Sequence, residues 1–385
     1  MRPHVFILLF DGLEKFMTRF RFLLTFLLGF LTFSIALAEP NAQLYLDQIQ
    51  LPEGFRIDIY NDNVRGARSM ALGDNGTLFV GTRGTGVVYA LVDFDGDNFA
   101  ESRYTIARNL NSPNGVAFHN GSLYVAEIHR IIRYDNIESQ LENPPNPIVV
   151  YDDFPQDQHH GWKYLRIYDD MLYTPVGVPC DFCEADLPYG AIHRLNLDGT
   201  SFETVAEGIR NTVGFDWNPE TGELWFTDNG NDAMGDELPP DELNRVSAIG
   251  EHFGFPYCLG GFYNETRFGQ YDCSQFTAPA QLLQAHTAAL GMRFYTGDMF
   301  PEEYQEYVFI AEHGSRSRNE KIGYRVTMVR VIDNFPVSYD VFADGWLQRG
   351  QEWGRPVDIL IMPDGSMLVS DDYAGAIYRI SYQAS

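Results

Sequence analysis

Positive charge is what this chain has least of. Lys and Arg total 27 against 53 Asp and Glu, so the 385-residue sequence carries a formal charge of −26. A surface of that sign repels phosphate backbones and anionic headgroups, which excludes nucleic acid and acidic membranes as partners. Histidine is scarce at nine residues, and cysteine at four. Helical periodicity is nearly absent beyond residue 50, which points away from helical architectures. Motifs that would fix a redox or metal role outright are also missing. There is no C-x-x-C-H haem attachment, because Cys183 is followed by Glu184, and no second C-x-x-C to complete a zinc site. The acidic loop after Asp228 lacks EF-hand spacing.

A long apolar run occurs at the start. Arg19 and Arg21 precede Phe22 to Ala38, which closes on Ala36-Leu37-Ala38 in the three-part layout of a secretory signal. The run is short for a membrane span, and Glu39 and Asp47 follow it without a basic stop-transfer cluster. Asp11 and Glu14 stand ahead of the basic segment where a signal would not want them, so Met17 reads as the true start. We expect residues 1–38 to be removed, leaving one domain over 39–385 that is periplasmic or secreted and has no membrane span. Removal leaves 23 basic against 51 acidic residues, a charge of −28. In an oxidising compartment disulfides are the default, and local pairing, Cys180–Cys183 and Cys258–Cys273, is the simplest framework. A redox-active pair or half of a zinc site is the alternative for the C-x-x-C.

What the chain does have is a repeat. An acidic or Gly turn leads into a small-x-apolar-aromatic strand, then a second alternating strand. Taking Leu78, Leu123, Leu172, Leu224, Val308 and Leu368 as equivalent, the gaps are 45, 49, 52, 84 and 60 residues. Six units of that length suit four-stranded blades, and a sandwich has no reason to repeat. The turns Asp74-Asn75-Gly76, Asn120-Gly121-Ser122 and Pro363-Asp364-Gly365 are hairpin chemistry. The fold class expected is all-β, a six-bladed β-propeller, with a long insertion near 231–304 in the widest gap. A propeller brings loops from every blade to one end of its channel, so residues far apart in sequence converge there.

Four segments crowd polar residues against strand ends. His159-His160 precedes the third repeat, and a neutral imidazole is suited to taking a proton from an alcohol. Arg210-Asn211 offers planar donors for a carboxylate. It is followed by an oxygen-rich stretch, Asp228 to Asp232, Asp236-Glu237 and Asp241-Glu242, of the kind that holds Ca²⁺. Glu312-His313-Gly314-Ser315-Arg316 follows the fifth repeat's strand, and Trp353-Gly354-Arg355-Pro356 opens the sixth. Arg83 and Asp371-Asp372 occupy places matching His313. Each is unremarkable alone as a solvated loop residue. Together they make a cationic pocket in an acidic protein, which implies an anionic ligand.

These segments resemble the soluble pyrroloquinoline quinone (PQQ)-dependent sugar dehydrogenases, most closely their sorbosone/pyranose dehydrogenase branch. The strings are His159-His160-Gly161-Trp162-Lys163-Tyr164-Leu165, Gly208-Ile209-Arg210-Asn211-Thr212-Val213-Gly214 and Gly235-Asp236-Glu237-Leu238-Pro239-Pro240-Asp241-Glu242, with the segments around His313 and Arg355. They span about residues 50–382. The resemblance implies a six-bladed propeller using PQQ and Ca²⁺, with His160 as the base that removes a sugar hydroxyl proton while hydride passes to the quinone. It implies that Arg83, Arg210, Asn211, His286, His313 and Arg355 contact PQQ, and that backbone carbonyls of Gly230 and Asn231 bind the ion. His313 stands where the glucose-oxidising branch has a lysine, His286 where it has a threonine, and Tyr164 where it has an arginine, which points away from glucose itself. The electron acceptor carries no readable signal. The competing readings are a Ca²⁺-dependent lactonase, which needs no cationic cradle, and a binding propeller without catalysis.

Overall fold

The computed structural model describes residues 41–383, and the expected leader lies outside the described residues. Six antiparallel sheets follow one another along the chain. Blade 1 comprises Ala67–Leu72, Leu78–Thr82, Val88–Val92 and Ser102–Ala107. Blade 2 comprises Gly115–His119, Ser122–Ala126, Ile131–Tyr134 and Ile148–Tyr151. Blade 3 comprises Arg166–Tyr168, Met171–Val176, Ala191–Asn196 and Glu203–Glu207. Blade 4 comprises Gly214–Trp217, Leu224–Asp228, Glu242–Val246 and Gln281–Leu282. Blade 5 comprises Ala289–Phe294, Tyr307–Glu312, Arg325–Ile332 and Phe335–Ala343. Blade 6 takes Pro356–Ile361, Met367–Asp371 and Ala376–Tyr382 from the C-terminus and Phe55–Asn61 from the N-terminus. The last two pair antiparallel, Phe55 opposite Tyr382, and close the ring.

The repeat read from the sequence is the second strand of each blade. Its six equivalent apolar residues are all buried, at most 5% exposed. They sit between blades, where alternate side chains of one sheet interdigitate with those of the next. Turn chemistry sets the hairpins. Asn120 (φ 48°) and Gly121 (φ 77°) are both left-handed, as a two-residue connection between twisted strands requires.

The long stretch 231–304 is not one insertion. It contains the third and fourth strands of blade 4 and the first strand of blade 5, so the additional chain is 247–280. Within it, Glu251–His252 pairs parallel with Ala206 and Glu207 at the edge of blade 3. The Cys258–Cys273 disulfide closes this segment, and Cys180–Cys183 closes the loop after the second strand of blade 3, so both local pairings are present.

The first strands stand around the central axis, and polar groups fill the space between them. Arg68 Nε donates to Asn114 Oδ1 (2.9 Å), Asn114 Nδ2 to the Lys163 carbonyl (2.8 Å), and the Met70 amide to Asp358 Oδ2 (2.9 Å). Among the described residues no helix is long and apolar enough to cross a membrane.

Candidate active site

One end of the channel is ringed by the segments that enter the first strands and those that leave the second strands. Arg83, His160, Arg210, Asn211, Gly230, His286, His313 and Arg355, singled out from seven separate stretches of sequence, line one cleft there. Asn231 lies just behind, lining a small adjoining cavity with Asp228, Gly230 and Glu242. Arg68, Trp162, Asn229 and Arg316 join them, with Asp232 and Asp241.

His160 is 7% exposed and sits at φ 49°, a strained conformation for a residue with a Cβ. The turn turns its ring inward against Gly177, where a Cβ would lie 2.6 Å from that of His160, so only glycine fits. Nδ1 lies 3.0 Å from the Val178 carbonyl. A carbonyl only accepts, so Nδ1 carries the hydrogen and Nε2 keeps its lone pair. Burial, then the neighbouring Arg210 and His159, hold the imidazole pKa down to about 2, so the ring is neutral throughout the physiological range.

The cations divide into two sets. Arg68 pairs with Asp372 (3.0 Å), which also accepts from His313 Nε2 (2.8 Å). Burial opposes ionisation of Asp372, but His313 and Arg68 outweigh it and hold the carboxyl well below the usual range. Burial lowers His313 itself to about 4. Arg210, expected as an open carboxylate donor, is already engaged. Its Nε and Nη2 donate to the carbonyl and Oδ1 of Asp181 (2.8 and 2.6 Å), and Nη1 to the Asn229 carbonyl (3.1 Å). The second set has no carboxylate partner among the described residues. Arg83 stacks on the Trp162 ring at 3.6 Å, and Arg355 donates only to the carbonyls of His313 and Gly314 (3.1 and 3.0 Å). Arg316, which the sequence places in the segment around His313 without a role of its own, is likewise without one, exposed at the rim. Burial, then repulsion from Arg68 and Arg316, pulls Arg83 down to about 10. Three guanidinium groups thus line one cleft without a direct ion pair, with Asp372 acting on Arg83 and Arg355 only through its field.

Beside the cleft the balance reverses. Asp228 accepts the amides of Arg210 and Asn211 (2.8 and 2.6 Å), and Asp241 accepts that of Gly230 (2.9 Å), so these acids shape the loops. Burial raises Asp228 to about 7 and Asp241 to about 6, and burial with Asp228's charge raises Glu242 to about 8. Asn231 is 1% exposed, and neither polar atom of its carboxamide has a partner. A buried orphan amide next to destabilised carboxylates has the chemistry of a site for a divalent cation. His286 donates through Nε2 to the Gly235 carbonyl (2.8 Å), while its buried Nδ1 has no hydrogen-bond partner.

The chain matches the family model described as "Domain of unknown function (DUF7133)" over residues 41–381. An uncharacterised protein of Borreliella burgdorferi is 31% identical over 375 residues, covering 92% of this chain and 95% of that one. An aldose sugar dehydrogenase of Escherichia coli is 26% identical over 188 residues, 48% of this chain and 45% of that one. Among solved structures, the PQQ domain of a pyranose dehydrogenase from Coprinopsis cinerea superposes with a TM-score of 0.74 at 17% identity, covering 88% of this chain and 97% of that one. At that identity the likeness shows the propeller fold.

Proposed function

We propose that this chain, a member of the DUF7133 family, is an exported quinoprotein that binds PQQ with Ca²⁺ in the cleft and oxidises an aldose, sorbosone or related sugar. The observation that carries the reading is the set of guanidinium groups without an ion-pair partner, Arg83, Arg316 and Arg355. PQQ is a tricarboxylate, and guanidinium groups that line a cleft without an ion-pair partner are free to bind such a ligand. The partial match to an aldose sugar dehydrogenase and the fold shared with a PQQ domain support it. The two disulfides accord with export.

When bound, PQQ supplies the quinone that accepts a hydride, and Ca²⁺ supplies a Lewis acid. The protein's own residues do the rest. Asn231, with the carbonyls of its loop and the flanking Asp228 and Glu242, would hold the cation. Arg83, Arg316 and Arg355 would hold the carboxylates, and Trp162 offers an aromatic face under Arg83. His160 Nε2 takes the proton of the substrate hydroxyl as the carbon's hydrogen departs with its electron pair. Burial does most to hold the imidazole pKa down, and entry of negative charge offsets the smaller contributions of Arg210 and Arg83.

A lactonase needs metal-bound carboxylates open to the cleft. It has no use for a cationic cradle, so Arg83, Arg316 and Arg355 around the same cleft favour the first reading. The test is to prepare metal-free protein, add Ca²⁺ and PQQ, and follow binding by calorimetry and dye reduction over a panel of sugars. Saturable PQQ binding with sugar-dependent reduction is expected. A protein that binds no PQQ would sink the proposal.

A further inference from the structure

The Cys180–Cys183 loop touches the site at two points that the chemistry above leaves unexplained. Val178, two residues before the disulfide, gives its carbonyl to His160 Nδ1 (3.0 Å) and its amide to the Arg210 carbonyl (3.0 Å). Asp181, inside the disulfide ring, takes Nε of Arg210 on its backbone carbonyl (2.8 Å) and Nη2 on its carboxylate (2.6 Å). The Arg210 side chain is 6% exposed and that of Asp181 43%, so the pair lies at the mouth of the cleft with its cation inside and its anion outside. The loop is also buttressed from behind. Phe182 packs edge-on against Phe255 (5.2 Å between ring centres), and Arg267 covers Phe182 at 4.3 Å, both from the additional chain 247–280. Val178 and Leu259 join the same apolar cluster.

We infer that Asp181 is a positioning residue. Held by the disulfide ring and the additional chain, it fixes Arg210 beside His160 and neutralises part of its charge. This rests on the PQQ reading of the cleft. Two consequences follow from elementary electrostatics. A fixed carboxylate on Arg210 weakens the attraction of an incoming anion, because the guanidinium is shared. It also weakens the field of Arg210 at His160, which leaves the base stronger than it would otherwise be. The effects of charge and of position can therefore be separated. D181N keeps an oxygen acceptor for Nη2 and loses the charge, whereas D181A loses both.

The experiment is calorimetric titration of metal-free wild type, D181N and D181A with PQQ in the presence of Ca²⁺. It is paired with kcat and KM against pH, and with crystal structures of both variants to read the Arg210 side chain. D181N is expected to bind PQQ about three- to tenfold more tightly and to move the acid limb of kcat/KM to lower pH, with Arg210 in place. D181A, which leaves the backbone carbonyls of Asp181 and Asn229 as acceptors, is expected to free the Nη2 end of Arg210 and to lose about threefold or more in kcat with a smaller change in KM. C180S/C183S, which opens the ring, should follow D181A. Variants with PQQ affinity, pH profile and Arg210 position all matching wild type would overturn the inference while leaving the proposed function standing. Wild type that binds no PQQ would overturn the proposed function instead. In that case the same titrations with benzene-1,3,5-tricarboxylate and the same crystal structures decide on Asp181 in the same two ways.

Discussion

The two ends of the central channel differ in both space and charge. The cavity at the end opposite the candidate site is the larger, about 330 Å³ against about 150 Å³, and is rimmed by Leu72, Phe118, Ile167, Trp217 and Ile361. Its charges are matched. Arg166 is paired with Asp216, and Arg293, though burial opposes its ionisation, is held charged by Asp358 and Asp216. At the smaller end Arg83, Arg316 and Arg355 have no such partners. A matched charge stabilises a fold and is spoken for. An unmatched one is available to a ligand, so the proposed site rests on charge balance rather than on room.

Breaking that comparison begins with the largest effect. His160→Ala should lower turnover about a thousandfold while PQQ still binds within a few-fold of wild type, read by steady-state kinetics beside calorimetry. Persisting turnover would show that the base is elsewhere. Next comes a paired test of the two ends. Arg293→Met strands Asp358 in the interior and should destabilise the protein by about 3 kcal/mol in chemical denaturation. Arg83→Met should leave stability within about 1 kcal/mol and lower PQQ affinity about tenfold. The reverse pattern would assign the ends wrongly. The smallest effect sharpens the electrostatics of His160. Its folded-state pKa of about 2 lies below the ordinary 6.5, so the unfolded chain takes the proton first as pH falls. The stability this group contributes is fully present above pH 6.5 and is lost as pH drops from there towards 2. Between pH 6 and 4, wild type should therefore lose up to about 1.4 kcal/mol per pH unit relative to His160→Gln. Parallel stability curves for the two proteins would contradict it.

Much of this was legible in the sequence, for identifiable reasons. The second strand of each blade is buried on both faces between neighbouring sheets, so its apolar pattern recurs and can be counted. Loop residues such as His160, Arg355 and His313 stood out because polar clusters at strand ends are unusual beside such strands. Arg68 was not visible, because it lies within an apolar first strand and its role comes from Asp372 across the ring closure. The engagement of Arg210 was hidden for a similar reason. Nothing in a C-x-x-C says that the residue inside it will reach an arginine from the next blade. The widest gap was misread as one insertion because the short strands Glu242–Val246 and Gln281–Leu282 carry too little pattern to be seen between loops.

The pairing of Phe55 with Tyr382 has a temporal consequence. Blade 6 needs strands from both ends of the described chain, so a chain still being made can build five blades and must leave the ring unclasped. The first and last blades become neighbours only when the final strand arrives, and Arg68 meets Asp372 at that same seam. The cleft therefore exists only in a completed chain. A product cut short before residue 376 would keep most of its sheets and lack a closed site.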